Sequence, residues 1–250
     1  MRRLIIFLAV VALVAVFVPS ASAARLSAAD FAADCNDDGV VSVSAKQRYV
    51  GGTGDLTRDC IVTMEPGSKL VFRDATITGT GSLVAISSPA DTTIRVVRSS
   101  IAVAGQLEMT AGCCSGEGDG SEAGGKVAVR DSRLSASSVQ LVASFDDAGG
   151  KVSVRRSSVT ATDGDIQIRA SDLGGTDGRV RVKRSRLNAA DDLRISTGTA
   201  GKTRVVWNDA AIGGSVEVLT GVDGTCRSRA NTPELPCGVA KPPVGGDDGL

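Results

Sequence analysis

The sequence contains no histidine in 250 residues and few aromatic side chains: five phenylalanines, one tyrosine and one tryptophan. Without imidazole there is no Ser-His-Asp or Cys-His activation of a nucleophile, no zinc site built on histidine, and no side chain whose ordinary pKa lies near neutrality. What survives of enzymatic chemistry is hydrolysis by a carboxylate pair, or a lyase with Arg or Lys as base. The scarcity of aromatics also removes the stacking platforms that hold neutral sugars and single-stranded bases, and only Trp207 offers itself. Nucleic acid is therefore not an expected partner. Net charge is absent as well, 28 basic against 28 acidic side chains, so any electrostatic preference must come from placement.

Long hydrophobic runs are missing after the first one. Arg2 and Arg3 precede an apolar stretch from Leu4 to Val18, followed by Pro19, Ser20 and the small triplet Ala21, Ser22, Ala23. This is the pattern of a secretory signal peptide over residues 1–23, cut before Ala24. The stretch is short for a bilayer core of roughly 30 Å, so no membrane span is expected after cleavage. A secreted or cell-surface location makes disulfides the default for the six cysteines. Nearest-neighbour pairing gives Cys35 with Cys60 and Cys226 with Cys237. Cys113 and Cys114 admit either a vicinal bridge or separate long-range partners.

What the chain does have is glycine, 30 residues of it, and a repeat. Two apolar residues separated by one position are followed, three residues on, by a small polar residue, and two further on by another apolar one. The clearest copies are Val127, Val129, Ser132, Leu134, then Val152, Val154, Ser157, Val159, then Val180, Val182, Ser185, Leu187. Looser copies begin at Leu70, Ile94 and Thr203. A second apolar pair follows in each, such as Val139 and Leu141 or Ile166 and Ile168, and the returns are rich in glycine. The alternation is that of strands buried on one face, and no copy reaches helical length. A unit this small closes no core alone but does so when stacked on its copies. The fold class expected is all-β, a right-handed parallel β-helix with disulfide-linked terminal caps. An antiparallel sandwich is the alternative, but it has no need to repeat one side-chain phrase in phase.

Through the V-x-V-x-x-S-x-L phrase and the Gly-rich loops over about residues 70 to 221, the chain resembles the pectate lyase-like right-handed β-helix proteins. The resemblance implies architecture rather than chemistry, since that scaffold carries lyases, hydrolases, adhesins and coils without activity. The Gly-His-Gly segment that accompanies the Asp pair of polygalacturonase-type hydrolases has no counterpart here, and Asp191 and Asp192 stand adjacent.

The organisation expected is a signal peptide (1–23), an N-terminal cap (24–69), coils (70–221), a C-terminal cap (222–238) and a disordered Pro, Gly and Asp tail (239–250). Stacking makes Val96, Val129, Val154, Val182 and Val205 an inward ladder, with Ser99, Ser132, Ser157, Ser185 and Asn208 at a corner, where small hydroxyls satisfy backbone groups. Alternation then turns Arg130, Arg155 and Lys183 outward as one ladder, with Arg133 and Arg186 following on the same strand and Arg156, Arg181, Arg184 and Arg204 alongside. Lys126, Lys151, Arg179 and Lys202 line the loop edge. The functional expectation is an exported, non-catalytic solenoid, a structural or surface and matrix component with acidic polysaccharide as the candidate ligand of this strip, carboxylates taking bidentate Arg contacts; an inert structural coil is a further alternative. The competing expectation is a solvated face whose arginines pair with loop acids Glu117, Asp119, Glu122, Asp146, Asp147, Asp172 and Asp177. The enzymatic alternative is a calcium-dependent polysaccharide lyase, in which an Arg of the strip is the base and Asp146, Asp147, Asp172 or Asp177 hold the metal. No cofactor is otherwise expected. Asp34, Asn36 and Asp38 match the start of an EF-hand-like calcium loop, but Ala45 stands where its bidentate acid belongs.

Overall fold

The computed structural model describes residues 26–87, 91–112, 124–144, 149–171 and 177–239. The signal segment, Cys113 and Cys114, the loop acids between 113 and 123, Asp146, Asp147, Asp172 and the tail from 240 onward lie outside the described residues.

Val152 and Val154, inward and two apart, lie in register with Val127 and Val129 on one side and Val180 and Val182 on the other. That parallel, gap-free stacking recurs throughout, and the chain forms a parallel β-solenoid of about seven turns. Each turn gives one strand to each of three sheets. The first has eight strands, from Lys46–Val50 to Thr225–Arg229; the second has seven, from Thr53–Leu56 to Asp209–Ile212; the third has nine, from Val40–Val43 to Cys237–Val239. The expected valine ladder is continuous, Val96 to Val205, and every member is buried. Full burial of each such side chain contributes about 1.5–3 kcal/mol, and only a stack supplies walls on both sides.

The corner between first and second sheets is made as the hydroxyls suggested. Ser99, Ser132 and Ser157 donate their hydroxyls to the carbonyls of Val97, Arg130 and Arg155, and accept a backbone N–H from the preceding turn at 3.2 Å. Asn208 and Asn231 continue the series with side-chain amides. The bend itself falls on the residue before: Asp74, Arg98, Asp131, Arg156, Arg184, Trp207 and Ala230 all have φ between 49° and 59°. These left-handed rungs belong to neither sheet's alternation.

The ends are covered by different means. Helix α1 (Ala28–Asp38) starts at a Ser27 capping box with Asp30 and stops at left-handed Gly39. It buries Ala28, Phe31, Ala32 and Cys35 on the first turn, and Phe31 meets Tyr49 and Phe72 edge-on at 4.9 and 5.0 Å. Cys35 is bonded to Cys60 in the third sheet, and Cys226 in the first sheet to Cys237 in the third. The coils reach further than the repeat phrase. Strands Val40–Val43, Lys46–Val50, Thr53–Leu56 and Cys60–Met64 lie inside the segment expected to be the N-terminal cap. Its copy of the phrase is unrecognisable, Gln47, Tyr49, Gly52 and Gly54, because a helix rather than another coil packs against it. The C-terminal segment likewise adds a strand, Thr225–Arg229, and Val239, expected in the tail, pairs with Thr220.

A candidate cationic face

Strands of the first sheet are five residues long, so positions one, three and five face outward. Position one stacks Lys46, Lys69, Thr93, Lys126, Lys151, Arg179, Lys202 and Thr225. Position three stacks Arg48, Val71, Arg95, Ala128, Ser153, Arg181, Arg204 and Arg227, and position five Val50, Arg73, Val97, Arg130, Arg155, Lys183, Val206 and Arg229. Sixteen of these positions are Lys or Arg, and none is acidic or aromatic.

The structure therefore joins Arg130, Arg155, Arg181 and Lys183 on one surface, as expected, and adds rungs that sequence reasoning missed: Lys46, Arg48, Lys69, Arg73, Arg95, Arg227 and Arg229. Arg133 and Arg186 are corrected. They do not continue the first-sheet strand but open strands Arg133–Ala136 and Arg186–Ala189 of the second sheet, beyond the corner. Arg156 and Arg184 sit on the corner itself.

Acids meet this surface at its margin. Arg98 binds Asp74 through two bonds of 2.6 and 2.8 Å; Asp131 takes Arg156 at 2.5 Å and Arg130 at 3.0 Å; Arg186 binds Asp209 at 3.1 Å. These carboxylates are corner or second-sheet residues; of the loop acids anticipated as partners, only Asp177 is among the described residues. Among the described residues, Arg155, Arg181, Lys183, Arg184 and Arg204 have no ion pair. Two of these groups, Lys183 and Arg181, are held below their ordinary values. Arg184, above all, and then burial, Arg181, Arg204 and Arg155 hold Lys183 below the usual lysine value. Burial, Arg155, Arg204 and Arg179 do the same to Arg181, whose buried Nε finds no hydrogen-bond partner. Among the described residues, a cleft of about 160 Å³ is lined by Arg130, Arg155, Arg156, Lys183 and Arg184 alone. Two of its cations are tied by Asp131, which leaves three to take an external anion.

Asp131 itself is pulled down to about 2, first by the Arg156 hydrogen bond and further by the charges of Arg156 and Arg130. A depressed carboxylate adds stability above its unfolded value near 4 and loses it as pH falls through the folded one. Asp131→Asn is therefore expected to lower the melting temperature at pH 5 but to approach the unaltered protein at pH 2. A gap that stays constant between those pH values would show that the Arg156 pair does not hold the corner.

The calcium-loop residues are arranged differently from an ion-binding loop. Asp34, Asn36 and Asp38 lie along α1, and Asn36 uses both amide atoms on the first turn, donating to the Asp55 carbonyl at 2.8 Å and accepting from Thr57 N–H at 2.9 Å. Among the described residues no three His, Cys, Asp or Glu side chains cluster as metal ligands. Asp177, the one described loop acid of the lyase expectation, lines an open groove with Lys151, Arg179 and Lys202. Compared with known protein families, with curated proteins and with solved structures, the chain matches none.

Proposed function

We propose that the protein is an exported, non-catalytic β-solenoid that binds an acidic polysaccharide lying along the coils on its first sheet. One observation carries this reading: three registered outward ladders hold sixteen cations and no carboxylate. Rungs at strand spacing, ~4.8 Å, present cations in straight rows, the arrangement that suits an extended polyuronate with an acid on every sugar. Duplex nucleic acid instead carries its phosphates on a winding path, one per about 3.4 Å of helix axis on each strand, and a single strand wants exposed aromatic faces that these ladders lack. The signal-like start of the chain and the bridges Cys35–Cys60 and Cys226–Cys237 support an extracellular location. Keeping so many like charges together costs stability, which argues for a use beyond solubility.

The test is retention on immobilised polygalacturonate as a function of salt. Arg155→Ala with Lys183→Ala removes two unpaired cations of the cleft at about 1 kcal/mol each, so affinity at low salt is expected to fall about thirtyfold. Retention equal to that of the unaltered protein, or displacement by duplex DNA as readily as by free polygalacturonate, overturns the reading.

A further inference from the structure

We propose that Arg184 and Trp207, on adjacent rungs of the corner, form a discrete subsite for one anionic sugar residue, the ring lying against the indole and the acid group on the guanidinium. The subsite deepens the polysaccharide reading, and its ligand class rests on that reading.

The corner rungs run Asp74, Arg98, Asp131, Arg156, Arg184, Trp207. The first four neutralise one another in pairs, Arg98 with Asp74 and Arg156 with Asp131. The alternation then stops. Arg184 has no ion pair among the described residues, and the next rung is an indole that is 59% exposed in a left-handed conformation, φ 59°. A bulky side chain in that backbone region carries a steric cost, and Trp207 offsets none of it by joining the core. An indole held outward beside an unpaired guanidinium presents an apolar face and an anion site together, the pair of contacts an acidic pyranose offers.

The surroundings agree. Trp207, Arg156, Arg184 and Ser158 line one open groove of about 730 Å³, which also holds Arg133 and the Arg186–Asp209 pair, so its one lining carboxylate among the described residues is already neutralised. Arg156 and Arg184 also line the all-cation cleft on the first sheet. Arg156 and Arg184 thus connect the first-sheet cleft to the groove that holds the indole.

Trp207 is the sole tryptophan, so its emission reports this site alone. Titration of the full chain with short oligogalacturonates is expected to give a saturable emission change and protection from acrylamide quenching. Arg184→Gln is expected to raise the dissociation constant about tenfold, and neutral galactose oligomers are expected to leave emission unchanged. A response to heparin-derived disaccharides in place of oligogalacturonates keeps the subsite and assigns its acid as sulfate. An equal response to neutral oligomers, or none to either acid, overturns it. Retention of long polygalacturonate without any emission response sinks the subsite and spares the face, whereas an emission response without retention does the reverse.

Discussion

Gly54→Val is expected to lower the stability of the protein by about 3 kcal/mol and to lift helix α1 from the end of the coil, although it makes the repeat more regular. Gly54 occupies the inward position of the second sheet that Ile77, Ile101, Leu134, Val159 and Leu187 fill in later turns. Repeat consensus alone would therefore predict a gain of roughly 1.5–2 kcal/mol from the added apolar burial. The end of the stack reverses the sign. A Cβ on Gly54 would stand 2.1 Å from the Ala28 carbonyl oxygen and 2.8 Å from the Ala32 Cβ, backbone and short side chain that cannot rotate aside. The helix must move, and with it goes Phe31, wedged against Tyr49 and Phe72. Overpacking costs about 1–3 kcal/mol, and loss of a buried Phe about 3–5 kcal/mol, so even partial release of Phe31 outweighs the valine's gain. Because the Cys35–Cys60 bridge keeps the displaced helix tethered, loss should show as a lower urea midpoint and as new protease sensitivity around Ala28–Asp38. A raised midpoint would mean that the helix does not seal the first turn.

The same residue marks where sequence reading stops. Val154 and Ser157 were legible because stacking in register makes each turn meet the chemistry of its neighbours, so valine faces valine and a corner hydroxyl meets a backbone N–H. That constraint fails at the first turn, whose neighbour is a helix, and Gln47 and Gly54 then carry no trace of the phrase. The cationic rungs Lys46 and Arg48 went unseen for that reason alone. Arg227 and Arg229 were lost at the other end, where Cys226 and Ser228 replace the apolar pair. The corner failed differently. A left-handed residue between two strands resets the alternation, so continuing the first-sheet strand past it put Arg133 and Arg186 on the wrong sheet and gave no hint that Asp131 would bind Arg156. The pairing of face arginines with loop acids was plausible from charge counts, 17 basic against 14 acidic between residues 94 and 210. All of those loop acids but Asp177 lie outside the described residues, and the carboxylates that meet the cations among the described ones, Asp74, Asp131 and Asp209, stand on the corner and second sheet.

Arg204→Glu should separate a binding face from a merely solvated one, because it is expected to weaken polygalacturonate binding by about tenfold while raising stability. Arg204 is exposed and stands in register between Arg181 and Arg227, with no ion pair among the described residues. A carboxylate there replaces two repulsive cross-strand contacts by two attractive ones, each worth roughly 0.2–1 kcal/mol. It also gives the guanidinium of Arg181, held below its usual value partly by Arg204, a neighbour of opposite sign. The net gain expected is about 1 kcal/mol at low salt, shrinking as the Debye length falls below the rung spacing. Binding moves the other way, since one attractive site becomes a repulsive one on the middle ladder of the face. A protein that melts higher and elutes from polygalacturonate at lower salt is the signature of charges kept in place at a cost to the fold. A higher melting temperature with unchanged retention would make the ladders a surface feature without a ligand. A lower melting temperature would show that other groups already neutralise Arg181 and Arg227, leaving the face without the unpaired charge that the polysaccharide is proposed to meet.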